Sequence, residues 1–573
     1  MQIGRDTQII RPQPTSEAAM NQALEDLDAN KQKWISLSLE SRIRILEDVQ
    51  HDFRKVWERL SLTSVLAKGL DARELGNDKD WLDIALITRI HAIVHRMLCE
   101  IRDYGTPRVP NPLKKHEDGR VKVQVYPDTR LHGMLFRGIT HEVWFEPGIE
   151  INQIIAGQAE KCISKSYTGG VALVLGAGNA AALIPSDVFH KLFHDLQVVA
   201  LKMNPVNSYL GPLFEEAYRS LIEGGFLRIL YGGSSEGTYL VEHPLVDEIH
   251  MTGSAGTFET IVFGSGRLGI RNREERNPKL KKPFSSELGC ITPWIVVPDG
   301  WTSKHVKLAA SRMAYWMIYQ EGYTCFAPRL LVFHQGWEYR RQFLDVLAES
   351  LAQVPTMPAY YPSSLELQRD FISEHPDATR IGGKEENHIP WTIIEGINPN
   401  SASDICFNRE SFSGLCAECS LNAKSTSEFL ELAVNFLNNS VWGNLSATVI
   451  VPDESFKDHR IRSEVENAVT NLEYGSIGIN VPGVFAIYNM ISPWGAYPGN
   501  NIYDIQSGIG KVANFLLLPY VEKVVVRAPL ATSPFPFRVD AKNLDLFCKK
   551  FANFEANQSF RNFLKVVVQA YRM

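Results

Sequence analysis

Long apolar runs are missing from this sequence. No stretch of about 18 apolar residues occurs, so no membrane-spanning helix is expected. The first twenty residues, MQIGRDTQIIRPQPTSEAAM, lack a basic start followed by an apolar stretch, and no secretory signal is expected. Cysteine is scarce and unpatterned: Cys99, Cys162, Cys290, Cys325, Cys406, Cys416, Cys419 and Cys548 are scattered along 573 residues. That usage fits free thiols in a reducing compartment, and a cytoplasmic location is expected. Charge of one sign is not in excess either, with a formal net charge of -6, so neither nucleic acid nor an acidic membrane surface is called for. Internal repeats and low-complexity segments are absent.

What remains is an ordinary globular balance, 45% hydrophobic and 22% charged, in a chain too long for one core. Residues 1–105 read as mainly helical. In WISLSLESRIRILEDVQHDF (34–53), Ser38 or Ser41 can cap a helix on which Ile43, Leu46 and Val49 recur at threes. Residues 106–120 are a Pro- and charge-rich connector, and 121–170 hold short apolar stretches broken by PG and GG, as strands and turns would. From 171 the pattern alternates. VALVLG (171–176), VVALKM (198–203), FLRILYGG (226–233) and DEIHMTGS (247–254) read as strands, with helices over 181–196 and 210–225 between them. Strand and helix in alternation imply a doubly wound α/β unit. A second alternating region runs from PWIVVPDG (293–300) through LLVF (330–333) to about 490.

Gly176-Ala177-Gly178-Asn179-Ala180-Ala181 follows a strand and precedes a helix, which satisfies G-x-G-x-x-A. An ordinary dinucleotide fold then expects an acid at the end of the next strand, to bind ribose hydroxyls. Lys202 stands there instead, and an ammonium can only donate. Asn179 could equally cap the helix that follows. Further on come Gly233 and Gly237, then Thr252-Gly253-Ser254 at a strand end, Glu287 in SSELG, Cys325 in GYTCFAP, and Glu410 with Phe412 in NRESFSGLC.

This ordered set resembles the aldehyde dehydrogenase superfamily over roughly residues 30–527. The resemblance implies an aldehyde-dehydrogenase-like α/β fold: a Rossmann-like cofactor domain, an α/β catalytic domain and a β oligomerisation arm. On that pattern residues 1–120 are the helical part of the cofactor domain and 121–170 a strand-rich arm. The Rossmann-like unit spans 171–288, the catalytic domain 289–490, and the return to the cofactor domain with an arm strand 491–527. A helical extension, 528–573, ends the chain. PYVEKVVVR (519–527) is similar to the closing arm strand, and YGSIGINVPG (474–483) and SPWGAYPGN (492–500) to two further family segments.

The resemblance also implies the chemistry. A carbonyl carbon cannot give up hydride until a nucleophile has added to it, and Cys325 matches the thiol that adds. Asn179 matches the side-chain amide that, with the cysteine N–H, holds the oxyanion. Glu287 matches the base that activates water for thioester hydrolysis, which implies a free carboxylic acid as product. Lys202 matches the adenosine-ribose lysine. Gly233, Gly237, Gly253 and Ser254 match backbone near the cofactor, and Glu410 and Phe412 the nicotinamide end. Ser413-Gly414 stands where the family has Gly-Pro, and Lys202-Met203-Asn204-Pro205-Val206-Asn207 lacks the family's glutamate, so NAD or NADP is expected. The expected substrate is a small-molecule aldehyde, and the expected assembly a homodimer or homotetramer. A coenzyme-A-acylating enzyme of the same fold and a catalytically silent binding or structural member are the alternatives.

Cys416-Ala417-Glu418-Cys419 is a C-x-x-C with no second pair at metal spacing, so no metal is expected. The basic run 266–284 reads as a solvated loop. In the tail, Leu544, Phe547, Phe551 and Phe554 share one helical face beside Lys542, Lys549 and Lys550. That face is expected to dock on the body or on a partner subunit, with lodging at a membrane surface as the alternative.

Overall fold

Two sheets divide the chain. The computed structural model describes residues 9–69, 78–163, 169–383, 386–531 and 537–573. The smaller sheet has six strands in the spatial order 508–509, Phe284–Leu288, Glu248–Gly253, Val171–Leu175, Val198–Lys202, Leu227–Leu230. All pair in parallel except 508–509, which runs antiparallel to Phe284–Leu288. Its inner strands Val171–Leu175 and Val198–Lys202 are apolar runs covered on both faces; Val171–Val174 and Val198–Leu201 are buried throughout. The order reverses between Val171–Leu175 and Glu248–Gly253. At such a switch point the loops leaving the strand ends part and open a crevice.

Helices Glu17–Ser36, Leu39–Ala67 and Asp78–Tyr104 form the N-terminal part. Ser16 and Ser38 cap the first two by accepting from Ala19 N and Ser41 N, so of the two candidate caps Ser38 is the one used. The helix expected over 181–196 begins at Leu183 and ends in a π turn, His190–His194. The helix expected over 210–225 is two pieces, Gly211–Ala217 and Arg219–Glu223, broken at Tyr218. Packing decides the break: the Tyr218 ring is buried against His91 and Phe189.

The larger sheet has eleven strands. Its centre is parallel: Val521–Arg527, Ser476–Ile479, Ser446–Ile450, Thr292–Val296, Pro328–His334, Leu415–Leu421 and Trp391–Ile397. Strands Val121–Tyr126 and Thr140–Phe145 continue it on one side, Thr140–Phe145 pairing antiparallel with Val521–Arg527. The segments expected to form an arm are thus built into the catalytic sheet of the same chain. Residues 121–170 also hold two helices, Arg130–Leu135 and Ile151–Ile163, where strands and turns were expected.

The tail docks on the body. Helix Leu544–Ala556 buries Leu544, Phe547, Phe551 and Phe554, and packs along helix Asp78–Tyr104. Glu555 locks it there by accepting from His132 Nε2 (2.8 Å) and pairing with Arg89 (3.5 Å). Helix Phe560–Ala570 folds back on it, with Phe560, Leu564 and Val568 left exposed. No helix among the described residues is long and apolar enough to cross a membrane.

Candidate active site

Cys325 lies on the loop that enters strand Pro328–His334, in the middle of the larger sheet. The loop is held in a costly shape. Gln320, Glu321 and Gly322 have φ of 48°, 58° and 82°, a left-handed run that side-chain-bearing residues avoid. The N-terminal helices hold it: Lys68 Nζ donates to Gln320 Oε1 (2.6 Å) and Lys79 Nζ to Glu321 Oε1 (3.0 Å). At Gly322 a side chain would collide with the backbone of Ser413 and Gly414, so the loop around Cys325 and the loop around Glu410 touch only because glycine is there.

Arg329 fastens the two loops together. Its buried guanidinium donates to the carbonyls of Gly322 (3.3 Å), Thr324 (2.6 Å) and Ser413 (2.9 Å), and to Glu410 Oε1 (3.4 Å). Motif reading missed this residue. The available signal was a charge inside the apolar run PRLLVF, since a buried arginine is almost always paired. Phe412, at φ 38°, packs with Tyr361 (5.0 Å between ring centroids) and Tyr323 (5.9 Å).

Glu287 arrives from the other sheet. It is the penultimate residue of Phe284–Leu288, buried, and Cys325 Sγ donates to its Oε1 at 3.3 Å. Burial, then the nearby Asp187 carboxylate, pushes the Glu287 carboxyl up to about 7, against hydrogen bonds from Trp494 and Cys325. Burial likewise drives the Cys325 thiol well above its ordinary range, with the negative charges of Glu287 and Glu410 adding to the effect. A neutral thiol thus faces a carboxyl that ionises near neutrality, donor to acceptor at hydrogen-bond distance.

Asn179 leaves strand Val171–Leu175 at the switch point. Its Nδ2 donates to Tyr323 O at 2.9 Å, two residues before Cys325. A side-chain amide has two N–H groups, so one hydrogen remains for another acceptor. Asn179 does not cap the next helix, whose N-cap is Ala182 without a side-chain bond.

These groups share one cleft of about 750 Å³, a size suited to a small organic ligand or cofactor. Asn179, Glu287, Cys325, Gly253, Ser254, Glu410 and Phe412 all line it. Gly178, Gly256 and Gly289 add walls without side chains, and Ser254 caps helix Ala255–Val262 by accepting from Thr257 N. A dinucleotide fits these features: glycine walls admit close approach, a helix N-terminus favours a phosphate and Glu410 can accept from ribose hydroxyls. Burial holds Glu410 above the ordinary carboxylate range, against the Arg329 guanidinium.

Lys202, Gly233 and Gly237 do not line this cleft. They lie farther along the same strand-end edge, Lys202 beside Leu230 in register and the glycines around the first turn of helix Ser234–Glu242. Burial lowers the Lys202 ammonium from its ordinary value, and Glu236 opposes that. Glu236 accepts from Gly233 N at 2.6 Å and caps its helix. Cys416 and Cys419 sit on strand Leu415–Leu421, where residues three apart face opposite sides, so their thiols cannot converge on one ion. The basic run forms helix Gly266–Glu274 and an adjoining stretch, largely exposed, with Arg271 paired to Glu275. Two clusters among the described residues bring metal-ligating groups together, His190/His194/Asp195 and His375/Asp404/Cys406, and neither lines the cleft.

Comparison with known proteins gives a consistent picture. The model of the aldehyde dehydrogenase family matches residues 197–364. Aminoaldehyde dehydrogenase 1, peroxisomal, of Malus domestica is 32% identical over 181 residues, 31% of this chain and 29% of that protein. Aldehyde dehydrogenase LUC3 of a Fusarium species is 25% identical over 175 residues, 30% of this chain and 34% of that protein. The aligned parts therefore span about a third of these relatives' lengths. Solved structures match much more of the chain. NADP-dependent glyceraldehyde-3-phosphate dehydrogenase from Bacillus halodurans, in complex with NADP, aligns with a TM-score of 0.60 at 18% identity, covering 89% of this chain and 91% of that one. Aldehyde dehydrogenase C from Pseudomonas syringae, a mutant bound to NAD+ and octanal, gives 0.61 at 16% identity, covering 91% and 90%. At such identities the likeness establishes the fold.

Proposed function

We infer that this chain, which matches the aldehyde dehydrogenase family model over residues 197–364, oxidises an organic aldehyde to the carboxylic acid with NAD or NADP. The single observation that carries this reading is the 3.3 Å contact from Cys325 Sγ to Glu287 Oε1 in a cleft they share with Asn179. Glu287 takes the thiol proton as sulfur adds to the aldehyde carbon. The carbonyl electron pair moves onto oxygen, and the resulting oxyanion accepts from the free Asn179 N–H and the Cys325 backbone N–H. A nicotinamide dinucleotide held in the cleft supplies the hydride acceptor. Glu410 would hold its nicotinamide ribose beside Phe412, Gly253 and Ser254 its pyrophosphate, and Lys202, Gly233 and Gly237 its adenosine half.

With hydride gone from carbon, the acyl group remains on Cys325 as a thioester. Glu287 releases the thiol proton to solvent, then accepts a proton from water; the hydroxide adds to the acyl carbon, the C–S bond breaks, and the free acid leaves as Glu287 returns its proton to sulfur. One buried carboxyl near pH 7 serves both steps, because it can accept and return a proton at little cost. The cytoplasmic location and the homodimer or homotetramer belong to the same reading, and light scattering measures the assembly.

The test is an aldehyde panel followed at the absorbance of reduced nicotinamide, with both cofactors, on wild type and Cys325→Ala. The variant should bind cofactor and yield no reduced nicotinamide. Added coenzyme A should leave turnover unchanged; strict dependence on it would transfer the second step from water to a thiol acceptor and refute the hydrolytic role of Glu287.

A further inference from the structure

A second cavity shares no lining residue with the cofactor cleft and approaches Cys325 through Tyr488 and the Phe326 ring. Tyr488 marks its inner end. The Tyr488 ring packs 6.3 Å from Phe326, the neighbour of Cys325, and 6.0 Å from Trp316. Its walls are apolar: Leu82 and Leu86 of helix Asp78–Tyr104, Phe485, and two residues of the C-terminal extension, Phe537 and Phe551. Phe537 seals it by packing on Trp316 (5.6 Å) and Phe485 (6.3 Å), and Phe551 by packing edge-on to Phe136 (5.6 Å). The remaining space is about 40 Å³, more than one water needs and less than a long chain needs.

The polar end of the cavity offers nothing to an ionised ligand. Arg89 pairs with Asp128 at 2.6 Å and with Glu555 at 3.5 Å, and His132 lies between the same two carboxylates at 3.1 and 2.8 Å. These buried charges satisfy one another, and displacing one for a substrate would leave its partner uncompensated.

We propose that the C-terminal extension forms one wall of the aldehyde pocket, so that Phe537 and Phe551 confine the enzyme to short, uncharged, apolar aldehydes. This rests on the aldehyde-oxidising reading. The aldehyde carbon is taken at Cys325, and its tail passes Tyr488 toward the extension. Glu555, through Arg89 and His132, anchors the helix that carries Phe551.

The experiment uses the full chain. The kcat/KM of wild type, Phe537→Ala and Phe537→Leu is measured for straight-chain aldehydes of increasing length and for a carboxylate-bearing and an ammonium-bearing aldehyde. Binding of unreactive straight-chain alcohols is measured by calorimetry in the Cys325→Ala background, with and without Phe537→Leu. Each methylene newly accommodated should raise kcat/KM, or tighten alcohol binding, about fourfold. The length optimum should move up by about two methylenes or more in Phe537→Ala and less in Phe537→Leu, while both charged aldehydes stay poor throughout. Turnover with an unmoved length profile overturns the wall and leaves the reaction. Alcohol binding limited by Phe537 in a protein that oxidises no aldehyde overturns the reaction and leaves the wall. Good turnover of a charged aldehyde by wild type overturns the confinement.

Discussion

Replacing Glu287 by glutamine should make the protein more stable and inactive at once. The Glu287 carboxyl titrates at about 7 in the fold, against an ordinary value of 4.5. The folded state therefore holds this proton more tightly than the unfolded chain. Stability falls as pH rises from about 4.5 through 7, and is lowest, as far as this group is concerned, above 7. Linkage converts that displacement into about 3 kcal/mol of destabilisation by the buried charge at pH 8. Glutamine keeps the shape and an accepting oxygen for the Cys325 thiol, and carries no charge. Glu287→Gln should thus gain up to about 3 kcal/mol over wild type at pH 8, with the gain shrinking to nothing below pH 4.5. Urea midpoints of both proteins at pH 4.5, 6 and 8 measure it, because titrations common to the two cancel in the difference. A variant that is less stable at pH 8, or a gain that does not change with pH, would refute the argument that a desolvated carboxylate sits beside Cys325. Aldehyde turnover should be lost in the same variant, since an amide cannot take the thiol proton.

The pH dependence of wild-type kcat/KM follows from the same group. Glu287 must be ionised to accept, so the rate should fall about tenfold per pH unit below 7 and level off above it; an acidic limb centred near 4.5 would show that the base is elsewhere. Asn179→Ala removes one oxyanion donor and should lower kcat by about 100- to 1,000-fold with cofactor affinity unchanged, read by steady-state kinetics and cofactor titration. Arg329→Ala frees the carbonyls of Gly322, Thr324 and Ser413 and leaves Glu410 buried without its cation. It should cost about 3–5 kcal/mol in a urea midpoint and raise the KM for the dinucleotide. Arg329→Lys should rescue little, because one ammonium cannot reach both loops.

The doubly wound unit was readable because its physics is local. The strand candidates at 171–176, 198–203, 226–233 and 247–254 coincide with strands Val171–Leu175, Val198–Lys202, Leu227–Leu230 and Glu248–Gly253. A strand buried on both faces can be little else. Cys325, Glu287 and Asn179 were picked out by the resemblance that the ordered motifs carry, and all three line one cleft. Less visible was whatever depends on pairing at long range. No periodicity shows that Thr140–Phe145 will join Val521–Arg527, or that Glu555 will bond His132 across 423 positions. The apolar face of Leu544–Ala556 announced that it would be covered. What covers it, and that its far end walls a cavity, depends on charges that carry no local pattern. Helix 210–225 breaks at Tyr218 for a similar reason: a ring finds its place between His91 and Phe189, and the backbone yields.

The position of Glu287 explains why the site needs both sheets. Strand Phe284–Leu288 closes the smaller sheet, and only three residues, 289–291, separate it from Thr292–Val296 in the larger one. Glu287 therefore stands at the seam, while Cys325 belongs wholly to the larger sheet. Their 3.3 Å separation is set by what braces the seam. Ser507 Oγ donates to Gly289 O, strand 508–509 pairs back onto Ser286 and Glu287, and a Cβ added at Gly289 would meet the Glu410 carboxylate, which would have to move. The group proposed to hold the nicotinamide ribose thus lies against the short link that joins Glu287 to the larger sheet. On the proposed roles, Gly289→Ala should impair cofactor binding at Glu410 and proton transfer at Glu287 together, because the added methyl must displace either the strand carrying Glu287 or the Glu410 carboxylate. Separate measurement of dinucleotide affinity and of the acidic limb of the pH profile in that variant distinguishes this from a simple loss of binding. An altered affinity with an unmoved limb would show that the seam does not transmit.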